Sequence, residues 1–221
     1  MTMLNPVQHP WMRAPATVAV MDALGDARFV GGAVRNALLD EPVGDIDIAT
    51  PLIPREVIRR LRDVGIKTVP TGLAHGTITA VVDGKAFEIT TLRRDIATDG
   101  RHATVAFGQS WQDDALRRDF TINALSATID GEVFDYLDGL SDLAVRRVRF
   151  IGEPSQRIDE DVLRILRLFR FCAWYGGAIE QKALHAVVAA RKKLQHLSGE
   201  RIAREMLKLL AAKNPVGVLQ T

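Results

Sequence analysis

Apolar and polar residues in the first half of the chain follow helical and extended spacings in turn. The spacing predicts, in order, a helix over 16–27, a strand, glycine turn and helix over 28–40, a strand over 44–50, and a helix over 54–65. Residues 75–93 form two β-rich runs joined by Asp83-Gly84, a dipeptide typical of a hairpin turn. The first half is therefore predicted to be α+β.

The second half changes character. Residues 93–114 have little periodicity and many polar positions, which is typical of a loop. Helical spacing then dominates and predicts helices over 159–176, 180–197 and 198–213. We therefore place a boundary near residue 150, with an α+β domain over 1–150 and an all-helical domain over 151–221. The helical domain is expected to be truncated.

Composition narrows the class of protein. The 221 residues are 47% hydrophobic, enough for a core, and no apolar run approaches the length of a membrane span or resembles a signal peptide. We expect a cytoplasmic globular protein with no membrane partner. The single Cys172 lies in an apolar context and is expected to be a buried small hydrophobe.

Charge is distributed unevenly. Residues 1–140 carry 14 basic and 19 acidic side chains, a net charge of −5, whereas residues 141–221 carry 15 and 8, a net charge of +7. The asymmetry is compatible with a metal site beside a track for nucleic acid. The basic runs over 146–149 and 190–196 are either part of such a track or solvated helix faces.

Two aspartates stand two residues apart in the predicted strand over 44–50. Asp45 and Asp47 should project together while Ile46 and Ile48 point into the core. Two carboxylates so close repel each other unless a cation neutralises them, and their oxygens suit Mg²⁺. The alternative is the polar face of an edge strand.

The turn before these aspartates favours the metal. Gly31-Gly32 allows backbone N–H groups to approach a ligand closely, and the start of the next helix favours phosphate. Arg35, in the first turn of that helix, can add a charge-assisted contact. A phosphate-binding turn facing a metal site is what transfer from a nucleoside triphosphate requires.

Three successive motifs carry a family resemblance. The segments GGAVRNALLDEPVGDIDIAT, RRDFTINAL and RIDEDVLRILRLFRF resemble the motifs of class II tRNA nucleotidyltransferases, the CCA-adding enzymes, and of the related bacterial poly(A) polymerases. The resemblance implies a nucleotidyltransferase-type head with a mixed β-sheet and helices, followed by a helical neck. It also implies transfer of CMP and AMP from CTP and ATP to the 3′ end of tRNA, with pyrophosphate released.

The resemblance assigns roles to residues. Asp45 and Asp47 would hold Mg²⁺, and the triphosphate would be contacted by Gly32, Arg35 and Arg118. The Arg118-Asp119 segment has the alternative interpretation of a structural pair at a helix start. Poly(A) polymerase activity and a non-catalytic RNA-binding module remain the alternative functions. Whether CCA, CC or A alone is added stays open, as do any protein partners.

A second set of residues concerns the choice of base. Asp161 and Arg164 stand three apart on a predicted helix, and Arg167 and Arg170 continue the same row. Cytosine and adenine each present an amino donor beside a ring-nitrogen acceptor, which a carboxylate and a guanidinium complement. Guanine and uracil reverse this pattern. The resemblance gives Asp161 and Arg164 the same template role, and the alternative is an ordinary ion pair along the helix.

The roles of six further residues are left open. Glu88 is either a third carboxylate beside Asp47 or a solvated strand residue. The family often has aspartate where this chain has Asn36, which matters little if that side chain supports the turn. Residues of the predicted loop either take part in the change from cytosine to adenine that the resemblance implies or are solvated; these are Arg94, Arg101, His102 and Trp111.

Overall fold

The computed structural model describes residues 2–98, 103–177 and 179–220. Contacts between Cα atoms divide the chain into two compact units. The first unit comprises Met1–Ile96, Val105–Arg117 and Asn123–Leu137. The second comprises Ala97–Thr104, Arg118–Ile122 and Asp138–Thr221. The motif RRDFTINAL is therefore shared between the two units.

A seven-stranded mixed sheet organises the first unit. Its strands are β1 (Arg28–Val30), β2 (Ile46–Thr50), β3 (Lys67–Gly72), β4 (Thr77–Val82), β5 (Lys85–Thr91), β8 (Ser126–Ala127) and β9 (Val133–Phe134), and β6 (Arg93–Thr98) and β7 (Ala103–Phe107) form a separate two-stranded sheet. The spatial order is β3-β4-β5-β2-β1-β8-β9. Within it β2 and β5 run parallel, while the other described pairs are antiparallel. The predicted mixed sheet with helices is confirmed.

Helices accompany this sheet and make up most of the second unit. Those of the first unit are α1 (Pro15–Leu24), α2 (Gly32–Leu38), α3 (Pro54–Asp63) and α4 (Trp111–Leu116). Those of the second are α5 (Gly139–Ala144), α6 (Pro154–Glu160), α7 (Arg164–Tyr175), α8 (Gln181–Ala190), α9 (Gly199–Leu210) and α10 (Pro215–Leu219). In the part of the chain that the structure describes, no helix is long and apolar enough to cross a membrane.

The core of the sheet follows the alternation of the sequence. Ile46 and Ile48 of β2 are buried, as are Phe87 and Ile89 at the paired positions of β5. The turn between β4 and β5 places Asp83 and Gly84 at positive φ, as a tight hairpin turn requires. The hairpin at 75–93 is confirmed, and so is the strand predicted over 44–50, although it begins at Ile46 and leaves Asp45 just outside it.

Residues 93–98 and 103–114 do not form the loop that the sequence predicted. They contain β6, β7 and the start of α4, and Ser110 begins α4 by accepting a hydrogen bond from the Asp113 backbone N–H at 3.1 Å. Charged residues at the first three positions of β6 hide the alternation that marks a strand. Arg101 and His102 lie outside the described residues.

Strand β3 was also missed. It is an edge strand, its residues are largely exposed, and it contains Pro70. Proline is tolerated at a sheet edge, where one side of the strand has no partner. A mostly polar, proline-containing segment carries no hydrophobic pattern by which a strand is recognised.

Cys172 lies in α7 and is buried, with 3% of its surface exposed. Burial raises the pKa of the thiol to about 12. A higher pKa means less thiolate at a given pH, and the thiolate is the reactive form. At pH 8 we expect a maleimide to label the native protein at least about a hundredfold more slowly than the urea-unfolded chain. Equal labelling rates would contradict the buried assignment.

Candidate active site

The aspartate pair lies at the beginning of β2. Asp47 is within the strand and half-buried, and Asp45 immediately precedes the strand and is exposed. Because Ile46 and Ile48 occupy the buried face, Asp47 projects from the opposite face. The structure therefore places both carboxylates at one end of a strand in the centre of the sheet.

Glu88 is next to Asp47. The two residues are paired in the parallel register of β2 and β5, and paired positions on adjacent strands share a face of the sheet about 5 Å apart. Within the described ranges, no group of three or more His, Cys, Asp or Glu side chains could hold a metal ion. Mg²⁺ commonly takes one or two protein carboxylates and completes its shell with water and substrate phosphates. Asp45 and Asp47 fit that requirement, and the role of Glu88 stays a prediction.

The glycine turn lies between β1 and α2. Gly31 has a φ of 63°, which favours glycine, and its backbone N–H donates to the Leu125 carbonyl at 3.3 Å. A Cβ added to Gly32 would come 3.7 Å from Nη2 of Arg35, which is an ordinary contact. Gly31 is therefore required by backbone conformation, whereas Gly32 lies beneath the Arg35 guanidinium.

Arg35 is buried in this turn, with 6% of its surface exposed. Its guanidinium donates to Oδ1 of Asn36, at 2.9 Å from Nη2 and 3.2 Å from Nε, and to Oδ1 of Asn123. Asn36 also donates through Nδ2 to the Pro42 carbonyl at 2.8 Å, so it supports the turn between α2 and β2. Because amide oxygens are uncharged, these contacts orient the guanidinium without neutralising its charge.

Arg118 and Asp119 belong to the second unit. The Arg118 carbonyl accepts a hydrogen bond from Arg157, and Arg118 itself is half-buried. The Asp119 carboxylate is buried and accepts from the Phe120 backbone N–H at 2.9 Å and from Nε of Arg167 at 2.7 Å. Asp119 is therefore a partner of α7, while the neighbouring Arg117 pairs with Asp114 in the first unit.

Asp161 and Arg164 are not on one continuous helix, which corrects the helix predicted over 159–176. Helix α6 ends at Glu160 and α7 begins at Arg164, with Asp161 in an extended conformation between them. The Asp161 carboxylate accepts from the Leu163 backbone N–H at 3.1 Å. Aspartate competes for backbone donors in this way and interrupts helices.

The two side chains have different partners. Nη2 of Arg201 in α9 lies 2.9 and 3.0 Å from the two carboxylate oxygens of Asp161. Arg164 donates to Glu160 and, at 2.7 Å, to the Arg157 carbonyl. The ordinary Asp161–Arg164 ion pair, which was the alternative interpretation, is replaced by these two separate contacts.

Arg167 and Arg170 do share one side of α7, as predicted, and both pair with acidic residues of the second unit. Arg167 contacts Asp119, and Arg170 contacts the buried Glu205 at 2.6 Å. Burial and the neighbouring Arg167 lower the pKa of Arg170, whereas Asp119 and Glu205 outweigh burial at Arg167 and raise its pKa. Arginine starts from so high a pKa that both stay charged at neutral pH.

Comparison with known proteins identifies the family. Residues 27–149, more than half of the chain, match the family described as poly A polymerase head domain. The chain belongs to this family. Residues 178–221 match a second family, described as a probable RNA and SrmB-binding site of polymerase A. Asp161, Arg164, Arg167 and Arg170 lie between the two matched regions.

Known proteins and solved structures that resemble this chain include CCA-adding enzymes. The chain is 44% identical over 196 residues to the mitochondrial CCA tRNA nucleotidyltransferase 1 of Homo sapiens, with 86% of this chain and 44% of the relative covered. A crystal structure of the Bacillus stearothermophilus CCA-adding enzyme in complex with CTP superposes with a TM-score of 0.83 at 37% identity, covering 91% of this chain and 49% of that one. The Thermotoga maritima CCA-adding enzyme complexed with tRNA gives a TM-score of 0.76 at 25% identity, covering 99% and 50%. The chain spans about half the length of these proteins.

Sequence reasoning missed several residues that hold the candidate site residues. Asn123 holds Arg35, Arg201 holds Asp161, and Glu205 holds Arg170. Two of these contacts join residues at least 35 positions apart within the second unit. The spacing of neighbouring residues in the sequence cannot predict contacts between residues so far apart. The one available signal is that Arg201 and Glu205 stand four apart on an amphipathic helix.

Proposed function

We propose that this chain transfers CMP and AMP from CTP and ATP to the 3′ end of tRNA, releasing pyrophosphate. The observation that carries the proposal is the Asp45–Asp47 pair at the start of a central strand, next to a glycine turn that holds a buried arginine. Nucleotidyl transfer requires a metal held by carboxylates and a turn that binds phosphate, and this head domain contains residues suited to both. The names of the relatives supply the acceptor and the nucleotides.

The residues of this chain contribute position and charge. Asp45 and Asp47 would hold Mg²⁺, which when bound polarises the α-phosphate and favours ionisation of the attacking 3′-hydroxyl. The hydroxyl oxygen forms a bond to the α-phosphorus as the bond to the pyrophosphate oxygen breaks. Arg35, oriented by Asn36 and Asn123, stabilises the charge on the departing pyrophosphate. The family resemblance assigns Gly32 and Arg118 to the same triphosphate.

Base choice would rest on Asp161 and Arg164. A carboxylate that accepts from an exocyclic amino group and a guanidinium that donates to a ring nitrogen admit cytosine and adenine. Arg167 and Arg170 are proposed to border the same nucleotide. Their contacts with Asp119 and Glu205 support a role in fixing α7, the helix that begins with Arg164.

We expect Asp161→Ala to let UTP and GTP compete measurably with CTP and ATP. Each lost contact to the correct base should cost about 1 to 3 kcal/mol. The measurement is incorporation of labelled CTP in the presence of increasing unlabelled UTP. The matched control is Asp159→Ala, which removes an exposed carboxylate two residues away that pairs with Lys193. An Asp161→Ala protein with wild-type base preference would contradict the template role.

The test of the proposed function supplies each nucleotide singly, with Mg²⁺, to a tRNA that lacks its 3′-terminal CCA. Extension by CTP alone to two residues, completed by ATP to three, supports CCA addition. Stopping after CC, or extending only a tRNA that ends in CC, identifies the partial activities. The description of the matched family favours poly(A) polymerase as the second candidate, and repeated addition of AMP would identify it. RNA binding without incorporation would leave a non-catalytic module.

The compartment belongs to the same proposal. We propose the cytoplasm, as expected from the sequence, while the mitochondrial designation belongs to the human relative. The partners proposed are tRNA, CTP and ATP.

A further inference from the structure

Arg201 connects α9 to the residue between α6 and α7. One nitrogen, Nη2, lies 2.9 Å from Oδ1 and 3.0 Å from Oδ2 of Asp161, across 40 positions of sequence. Both side chains are about 30% exposed, so the contact is partly shielded from water. A contact of this kind fixes a carboxylate more firmly than a fully exposed surface pair does.

This contact replaces a closer alternative. Asp161 and Arg164 are three residues apart, and an aspartate and an arginine at that distance commonly pair with each other. If they did, the direction of the carboxylate would be set by Arg164 rather than by Arg201. In the structure Arg201 contacts the carboxylate, while Nη1 of Arg164 contacts Glu160 and the Arg157 carbonyl.

The Asp161 carboxylate keeps capacity to accept another hydrogen bond. Its two oxygens offer about four acceptor positions in total. Oδ1 accepts from the Leu163 N–H and from Arg201, whereas Oδ2 accepts from Arg201. One position on Oδ2 therefore suits an exocyclic amino group while Arg201 stays in place.

We propose that Arg201 is a positioning residue for base selection. It keeps the Asp161 carboxylate from pairing with Arg164 and sets the direction of Oδ2 toward the amino group of cytosine or adenine. The inference rests on the proposed function, because it needs Asp161 to contact the base. It adds a residue of α9 to the determinants of nucleotide choice.

The test uses the full 221-residue chain and measures the affinities of CTP and UTP with Mg²⁺. Arg201→Gln should weaken CTP about tenfold, since a hydrogen bond to a charged group is lost, and leave UTP nearly unchanged. Arg204→Gln is the control, because Arg204 lies on the same helix and pairs with Glu200 in an exposed position. Arg201→Lys should lie between wild type and Arg201→Gln, because a single nitrogen makes both contacts but lysine lacks the planar guanidinium.

A double mutant separates positioning from general stability. Arg201→Gln should cause no further loss of the CTP preference when Asp161 is already alanine, because the residue it positions is gone. An additive loss would overturn the inference, as would a wild-type preference in Arg201→Gln. Should Arg201→Gln fail to fold, wild-type selectivity in Arg201→Lys would overturn it. A wild-type protein that neither prefers CTP nor transfers it refutes the proposed function itself, and this inference with it.

Discussion

Asp47→Asn, and equally Asp45→Asn, is expected to lower nucleotidyl transfer about a thousandfold or more while the fold persists. Asparagine keeps the size of the side chain but removes the charge that holds a divalent cation. Stabilisation of several kcal/mol by a metal ion corresponds to a rate factor of this size. The fold should persist because removing one of two adjacent negative charges relieves their repulsion.

The measurement is turnover of CTP on truncated tRNA in Mg²⁺, together with thermal unfolding of each variant. Asp83→Asn is the matched control: it makes the same chemical change at an exposed turn position with positive φ, which asparagine tolerates. We expect it to retain wild-type turnover. A site variant that kept most of its turnover would refute the metal site.

The sheet around this site was predictable because its signals are local. Ile46 and Ile48 alternate with Asp47, and Asp83-Gly84 is a hairpin signal by itself, so strand, face and turn all follow from neighbouring residues. The same is true of the glycine turn, where the positive φ of Gly31 matches the freedom that glycine gives. The position of Asp47 between the buried Ile46 and Ile48 was therefore available from the sequence, whereas the joint role of Asp45 and Asp47 stays a prediction.

The sequence did not show which distant residues come into contact in the folded chain. Helical spacing continues through Asp161 in the sequence, but its backbone is extended in the structure, where its side chain accepts from the Leu163 N–H and contacts Arg201. Arg35 gave no sign that Asn123 would hold it. Strands β3 and β6 are polar in sequence, and their pairing depends on neighbouring strands rather than on a hydrophobic face of their own.

The basic run over 146–149 shows how much such context matters. Arg147 and Arg149 both contact Asp142, at 2.5 and 2.8 Å, so part of a charge pattern that suggested an RNA track serves the interior of the second unit. The side chains remain partly exposed. One carboxylate nevertheless offsets part of their positive charge at close range, which weakens their attraction for a phosphate backbone.

Asp142 is the buried carboxylate that Arg147 and Arg149 contact. Its side chain is fully buried, and besides the two arginines it accepts a hydrogen bond from the Thr121 hydroxyl at 2.6 Å. Thr121 belongs to the segment Arg118–Ile122, whose Phe120 pairs with Phe150 in a β-bridge. The segment Arg118–Ile122 contains Arg118 and Asp119, and Asp142 thus anchors this segment to the rest of the second unit.

We expect Asp142→Ala to lower the free energy of unfolding by about 3 kcal/mol, at the low end of the range for breaking a buried ion pair. Alanine leaves a buried hydroxyl without its acceptor and two guanidiniums without their carboxylate, but those guanidiniums can still reach water. Urea denaturation followed by tryptophan fluorescence measures the change. Asp130→Ala is the control, since it removes a 77%-exposed carboxylate paired with Arg13 and should cost less than about 0.5 kcal/mol. If both variants unfolded at the wild-type urea concentration, Asp142 would not be the residue that secures this segment.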